Sequence, residues 1–408
     1  MDQTKLAVRK MNTHKHEHRC GQGCKPVAAM TRLSAILLTA VCLMLALTGC
    51  GGKAEGGGVQ AGEPGVKEPA DIQVEFPKTY TAEAENIRFD CAVTAGPNEA
   101  GAPLRVYTAT ATLKKVNHDR GFDLLYSNVT DYDTYAYTEE NECGESVETA
   151  TYVNQAETMF SFGPKSSQLA YSRRDLLPYV QGAFRLDESE ADYNAARYSL
   201  DGQLGFKDRE TVCCEISDLL EDINAGDDYE YKVYALDHQT MRQEEYHGGI
   251  DGGEDRSQYK PGWSEADDCY YAALRQRLEG IPVYHVYAGL FPALSDSNAP
   301  VSVLVSANGV ESLGIEMIFE FSDLVQIPSL AEFEDIAQAV TQKYGNILGG
   351  GTYFFKSAEL NYYVDLNSGK GTYSVRPCWI FKGTESSGGA EKPVQMILDA
   401  ATCEEIVP

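Results

Sequence analysis

The chain has 408 residues, with 61 Asp and Glu against 34 Lys and Arg, for a formal charge of -27. That balance repels nucleic acid and anionic lipid and argues against a nucleic-acid binder. The length allows two or three domains.

The first informative segment is Leu33 to Leu47, LSAILLTAVCLMLAL, which carries no charge. It is too short for a comfortable membrane span of ~20 apolar residues. It has the size of the apolar core of a secretory signal. Lys25 and Arg32 supply the positive flank, and Leu47-Thr48-Gly49-Cys50 follows. Small residues before a cut let the chain enter a peptidase groove in extended form, and the Cys50 thiol is a nucleophile for a lipid. The four residues resemble the lipobox of bacterial lipoproteins. The resemblance implies that 1–49 is a signal peptide, that Cys50 carries a diacylglycerol anchor, and that the mature chain sits on the extracytoplasmic face of the cell membrane. His14, His16, His18, Cys20 and Cys24 have the chemistry of metal ligands. They precede the signal core and would leave with it, so no metal site is expected there. Met30 is a candidate true start.

Residues 1–50 hold seven Lys/Arg and two Asp/Glu, which leaves 27 basic and 59 acidic residues, a net of -32, beyond Cys50. Seven further cysteines follow: Cys91, Cys143, Cys213, Cys214, Cys269, Cys378 and Cys403. No CxxC pair occurs, and an odd number leaves at least one thiol unpaired unless a bridge is intermolecular. The sequence leaves the connectivity open.

Residues 50–77 read as a Gly-, Glu- and Pro-rich tether, which cannot bury enough apolar surface to order itself. Residues 78–204 read as a β-rich domain. Ile87 to Val93 and Leu104 to Ala109 alternate with period two, the pattern of half-buried strands. Short helices are expected in 173–198.

The remainder repeats. Asp208 can cap a helix with apolar residues Val212, Ile216, Leu219, Leu220 and Ile223 on one face. Ser329 and Glu332 form a capping-box pattern before a second helix, with Leu330, Phe333, Ile336, Ala337, Val340 and Tyr344 on its face. A strand pattern follows each helix: Tyr229–Leu236 in one, and alternation from Ala358 to Leu366 in the other. A proline then opens a further strand, Pro282 in the first copy and Pro377 in the second. PVSVLVSANGVESL from Pro300 aligns without a gap to PVQMILDAATCEEI from Pro393. The surplus length of the first copy is nearly matched by His238–Asp267, which reads as an inserted loop. The expected architecture is α+β: a β-rich segment, then two duplicated units of a helix on an antiparallel sheet, 205–325 and 326–408.

The repeated unit resembles PepSY-like domains and extracytoplasmic regulators of the YycH and YycI type. The carrying residues are Gly280 to Tyr284, Pro377 to Ile380, and Leu398-Asp399-Ala400-Ala401-Thr402. Cys403 stands where the family pattern has glycine. The whole chain also looks like one of the lipoproteins of clostridia-like Gram-positive bacteria. The resemblance implies a non-enzymatic role, binding or restraining another envelope protein.

Catalytic signatures do not emerge. HExxH, GxSxG and GxxxxGK[ST] are missing from the sequence. Among the histidines, His118, His238, His247 and His285 are scattered, and His285 reads as a satisfied sheet residue. The acidic glycine-rich stretch Gly248 to Asp255 is the best local candidate for a cation site, but it lacks the DxDxDG register and reads first as a surface loop. The neighbours Cys213 and Cys214 are the one candidate redox or disulfide pair. The expectation is a lipid-anchored, non-enzymatic binding or regulatory protein with no cofactor, an envelope protein as partner and no nucleic acid. The alternative is a hydrolase of wall or sugar polymers that uses an unrecognised carboxylate site.

Overall fold

Alternating apolar residues build most of this molecule. A computed structural model of the chain describes residues 76–96, 104–184, 191–226, 228–248, 253–285, 299–347 and 351–407. The lipobox residues Leu47 to Cys50 and nearly all of the expected tether lie outside the described residues. The architecture is α+β and rich in strand.

Three strands come first: β1 (Thr79–Ala84), β2 (Ile87–Thr94) and β3 (Tyr107–Leu113). In β2 Ile87, Phe89 and Cys91 are buried while their neighbours face out, as the alternation requires. Helix α1 (His118–Leu125) leads to a meander of β4 (Tyr132–Glu140), β5 (Ser146–Asn154), β6 (Met159–Gly163) and β7 (Gln168–Ser172). Two short helices, α2 (Leu177–Ala183) and α3 (Ala191–Arg197), fall in the window expected to hold them.

The first repeat comprises α4 (Arg209–Asp222), β8 (Tyr229–Leu236), α5 (His238–Glu244), β9 (Cys269–Leu278), β10 (Ile281–Tyr284), β11 (Val301–Ser306), β12 (Gly309–Ile315) and β13 (Phe319–Gln326). The second comprises α6 (Phe333–Gly345), β14 (Thr352–Asp365), β15 (Tyr373–Ser387), β16 (Ala390–Asp399) and β17 (Glu405–Ile406).

Backbone pairing connects all these strands, but through a narrow link. The first sheet runs β4-β5-β6-β7-β12-β11-β9-β8, antiparallel throughout. The second is centred on β14, β15 and β16. There β2 and β10 pair parallel with opposite halves of β14, β3 joins the start of β15, and β13 pairs with β3. The two sheets meet where β9 turns into β10, and Arg275 of β9 reaches Glu230 of β8 and Glu359 of β14. Residues 78–204 are therefore divided. Strands β1 to β3 complete the second sheet, while β4 to β7 extend the first. The physical reason is closure, because the second repeat has too few strands of its own to cover α6 and its core.

The leading helices of the two segments share one spacing. Asp208 caps α4 by accepting from the Thr211 N–H at 2.7 Å. Val212, Ile216 and Leu220 bury one face against the first sheet. In α6 the same spacing from its N-cap, Glu332, places Ile336, Val340 and Tyr344 on the buried face, with Phe333 added. Glu332 makes no side-chain cap, and the helix begins at Phe333, so the expected Ser329–Glu332 capping box does not form. Each fully buried side chain of this size contributes roughly 1.5–3 kcal/mol of transfer free energy.

Sheet register corrects one sequence alignment. Cys269 lies opposite Ser306, and Cys378 lies opposite Asp399. The match of Val301–Ser306 to Val394–Asp399 therefore holds, and Cys269 and Cys378 are equivalent buried residues. Pro282 and Pro377 are not equivalent: Pro282 is in β10, outside the repeated strand pair, whereas Pro377 is inside β15. The chance presence of a proline near a strand start in both copies misled the alignment.

The stretch 238–267 is not a bare loop. Asp237 caps α5 through the Thr240 N–H, and Met241 is fully buried. The buried carboxylate of Glu245 accepts from the Lys260 N–H at 2.8 Å and from Trp263 Nε1 at 2.7 Å. One side chain thus fastens the returning chain to α5.

Candidate functional site

The sites expected from sequence separate into three groups. Cys50 and the lipobox lie outside the described residues, as do residues 249–252 of the candidate cation loop. The flanking carboxylates of that loop are engaged: Glu254 bonds Arg256 at 3.0 Å, and Asp255 accepts from the Ser257 N–H at 3.0 Å. No group of three or more His, Cys, Asp or Glu able to hold a metal occurs among the described residues.

Cys213 and Cys214 sit side by side on α4. Successive helical residues point about 100° apart, so their thiols diverge. Cys213 packs on the first-sheet core, while Cys214 is exposed. Burial pushes the Cys213 thiol up, away from the reactive thiolate. All seven cysteines of the described residues are free thiols. Cys91 donates to the Phe355 carbonyl at 3.3 Å, and burial pushes its thiol up to about 12.

The histidines also separate. His238 Nδ1 lies 2.7 Å from Asp268, His247 Nε2 lies 3.2 Å from Glu245, and His118 stacks on Phe162. His285 is the fourth. It follows β10, is 6% exposed, and its ring makes no hydrogen bond among the described residues. Burial alone pulls its pKa down to about 4, which keeps the imidazole neutral at ordinary pH. His285 was expected inside a strand and lies one residue beyond β10. The ring lines a cavity.

That cavity is the candidate site. It measures about 490 Å³ and lies between one face of the first sheet and α2. The size falls in the range of small-molecule sites, roughly 300–1,000 Å³. The sheet makes room because its side chains are small at this point. Ala170 of β7 lies opposite Gly314 of β12, which lies opposite Ser302 of β11. A Cβ on Gly314 would stand 3.0 Å from Ser302 Oγ, so the wall stays set back only while that residue is glycine. Leu177, Pro178 and Gln181 of α2 form the opposite wall. On the other side of α2, Val180 packs into a separate core with Tyr234, Leu236 and Met241, which fixes the helix in place.

Glu316 is the second unusual group. It lies just beyond β12, 9% exposed, and lines the same cavity. Its backbone is held on both sides: the Glu316 N–H donates to the Pro300 carbonyl at 2.9 Å, and the Met317 N–H donates to the Ser166 carbonyl at 2.7 Å. The carboxyl itself has no partner among the described residues, and Oε1 is shut away without a hydrogen bond. Burial pushes its pKa up. At the rim, Arg174 is paired with Glu157, and both are more than half exposed. Val153 and Met159, on the same face of the sheet, add apolar wall.

The arrangement can do specific things. A neutral imidazole offers one donor and one acceptor, and a carboxylate offers only acceptors. Both are held in an apolar enclosure where an unmade hydrogen bond is costly. Sequence reasoning set His285 aside as a sheet residue and passed over Glu316. The signal for Glu316 was present as a lone acid within Leu313-Gly314-Ile315-Glu316-Met317-Ile318-Phe319, where apolar neighbours imply burial.

The fold is similar to that of an uncharacterised protein from Eubacterium rectale ATCC 33656. The two share 14% identity with a TM-score of 0.57, over 81% of this chain and 94% of the other. The C-terminal domain of YpeB from Bacillus megaterium aligns at 11% identity with a TM-score of 0.28, over 71% of this chain and 92% of that domain. The first likeness is one of fold alone, and the second is too distant to carry an argument. No protein-family model matches the chain, and the curated proteins yield no relative.

Proposed function

We propose that this protein is a non-enzymatic binding module, tethered outside the cell membrane through a lipid on Cys50, whose cavity receives a small molecule. One observation carries the reading. The carboxyl of Glu316 is buried in an apolar cavity where its Oε1 has no hydrogen-bond partner among the described residues, and the buried His285 lines the same cavity. Buried polar groups are normally paired, and the exceptions call for a reason. An external ligand that supplies the missing hydrogen bonds is such a reason. A regulatory role, in which occupancy of the cavity changes how the protein meets an envelope partner, fits the PepSY-like resemblance of the repeats.

The hydrolase alternative has less to stand on. The second carboxylate on the cavity lining, Glu157, is tied to Arg174 at the rim. A glycosidase needs two carboxyl groups flanking the bond it cleaves.

Nile red, a neutral dye that brightens in apolar surroundings, tests the reading. The wild-type chain is expected to bind one equivalent. Ala170→Phe, which fills the space beside Gly314, is expected to lose that signal while the melting temperature stays within a few degrees. Equal uptake by the filled variant would refute the cavity as the site. For the anchor, Cys50→Ala is expected to release the protein into the medium, and retention at the membrane would contradict the tether.

A further inference from the structure

The polar groups of the cavity are unequal in sign. Its acids are Glu316 inside and Glu157 at the rim, and its cation, Arg174, is already paired with Glu157. Arg174 is the one cation among the described lining residues, and with it paired to Glu157 the buried Oε1 of Glu316 is left without a partner among those residues. His285 adds ring nitrogens with no hydrogen-bond partner among the described residues, and the hydroxyl of the buried Ser302 lies on the sheet wall.

Resting on the reading of the cavity as a ligand site, we propose that its ligand is an amphiphile with a protonated amine, whose ammonium group meets Glu316 and His285 while its apolar body lies along Leu177, Met159 and Val153. An ammonium group brings donors and no acceptor. It therefore complements an ionised carboxylate and the acceptor nitrogen of a neutral imidazole together. An alcohol supplies one donor but leaves the carboxylate charge buried and unbalanced. A fatty acid places a second negative charge beside Glu316, with Arg174 already committed elsewhere. A formal charge of -27 on the whole chain also raises the local concentration of cations over anions. Charge-assisted hydrogen bonds are about twice as strong as neutral ones, so the head group decides selectivity among tails of equal length.

Three eight-carbon probes separate the possibilities: octylammonium, 1-octanol and octanoate. Each is titrated calorimetrically into the full chain and into Glu316→Gln and His285→Gln. Glu316→Gln keeps the side-chain shape, and its melting curve verifies folding. Octylammonium is expected to bind tightest, by roughly tenfold or more over octanol, with octanoate weakest. Glu316→Gln is expected to remove that advantage and leave octanol within about twofold, in the range of an uncharged contact. His285→Gln is expected to weaken the amine less than Glu316→Gln does. Octanol or octanoate binding as tightly as the amine would overturn the cationic head group, as would an unchanged amine affinity in Glu316→Gln. If Nile red and octanol still enter in that case, the cavity remains a ligand site and only the head-group assignment falls. If none of the three probes and no dye enters, both readings fall.

Discussion

Replacing Glu316 by methionine should make the protein more stable. The carboxyl lies just beyond β12 with 9% of its surface exposed, and its Oε1 has no partner among the described residues. A buried polar group left unsatisfied costs about 1–3 kcal/mol, and more when it is charged. Methionine has a similar length, carries no such penalty, and enters a cavity whose walls include Leu177, Val153 and Met159. The expected gain is therefore about 1–3 kcal/mol at pH 7, a rise of a few degrees in melting temperature for a domain of this size. The gain should also depend on pH in a defined direction. Burial raises the folded pKa of Glu316 above its ordinary value. The wild-type protein therefore loses stability as pH rises through the unfolded carboxyl range, from about 4.3 upward, until Glu316 ionises in the folded state. The advantage of Glu316→Met should be smallest below about pH 4 and grow toward neutrality. Urea unfolding of both proteins across pH 4–8 measures it. A variant less stable than wild type at pH 7, or a difference that does not change with pH, would mean that the carboxyl already has a partner and that the cavity argument is wrong.

Other outcomes follow from the same structure. Ile216→Ala and Ile336→Ala empty buried positions of α4 and α6 and should each cost about 2–5 kcal/mol in denaturant unfolding; a loss under 1 kcal/mol at either would contradict its packing. Arg275→Met leaves Glu230 and Glu359 without their shared guanidinium, and Glu359 is only 26% exposed, so a loss of about 1–3 kcal/mol is expected in the same assay. Alkylation of the native protein should label Cys143 and Cys214 quickly and leave Cys91, Cys269 and Cys378 unlabelled until unfolding; rapid labelling of Cys269 would refute its burial.

The sequence made local structure legible where one element sufficed to bury a face. The range of β8 could be read directly from Tyr229–Leu236, and the faces of α4 and α6 from their spacing, because helix and strand periods leave their mark on a single segment. The pairing of β2 with β14 and of β3 with β13 and β15 leaves no such mark. These contacts join segments more than two hundred residues apart, and alternation shows only that a face is covered. For the same reason the proline alignment failed while the Pro300–Pro393 alignment held: strand-long apolar patterns constrain register, and a single residue does not. The site was the least legible part. His285 and Glu316 are single residues just past the ends of different strands, and only the fold brings them to one cavity.

Methionine-methyl NMR tests the ligand-site reading most directly, because Met159 lines the cavity while Met396 lies in the core of the second sheet. With 1-octanol added to the methyl-labelled protein, the Met159 resonance is expected to shift and saturate while Met396 stays in place. A Met159 methyl that does not respond at saturating octanol, or one that moves no more than Met396, would contradict a ligand site in this cavity.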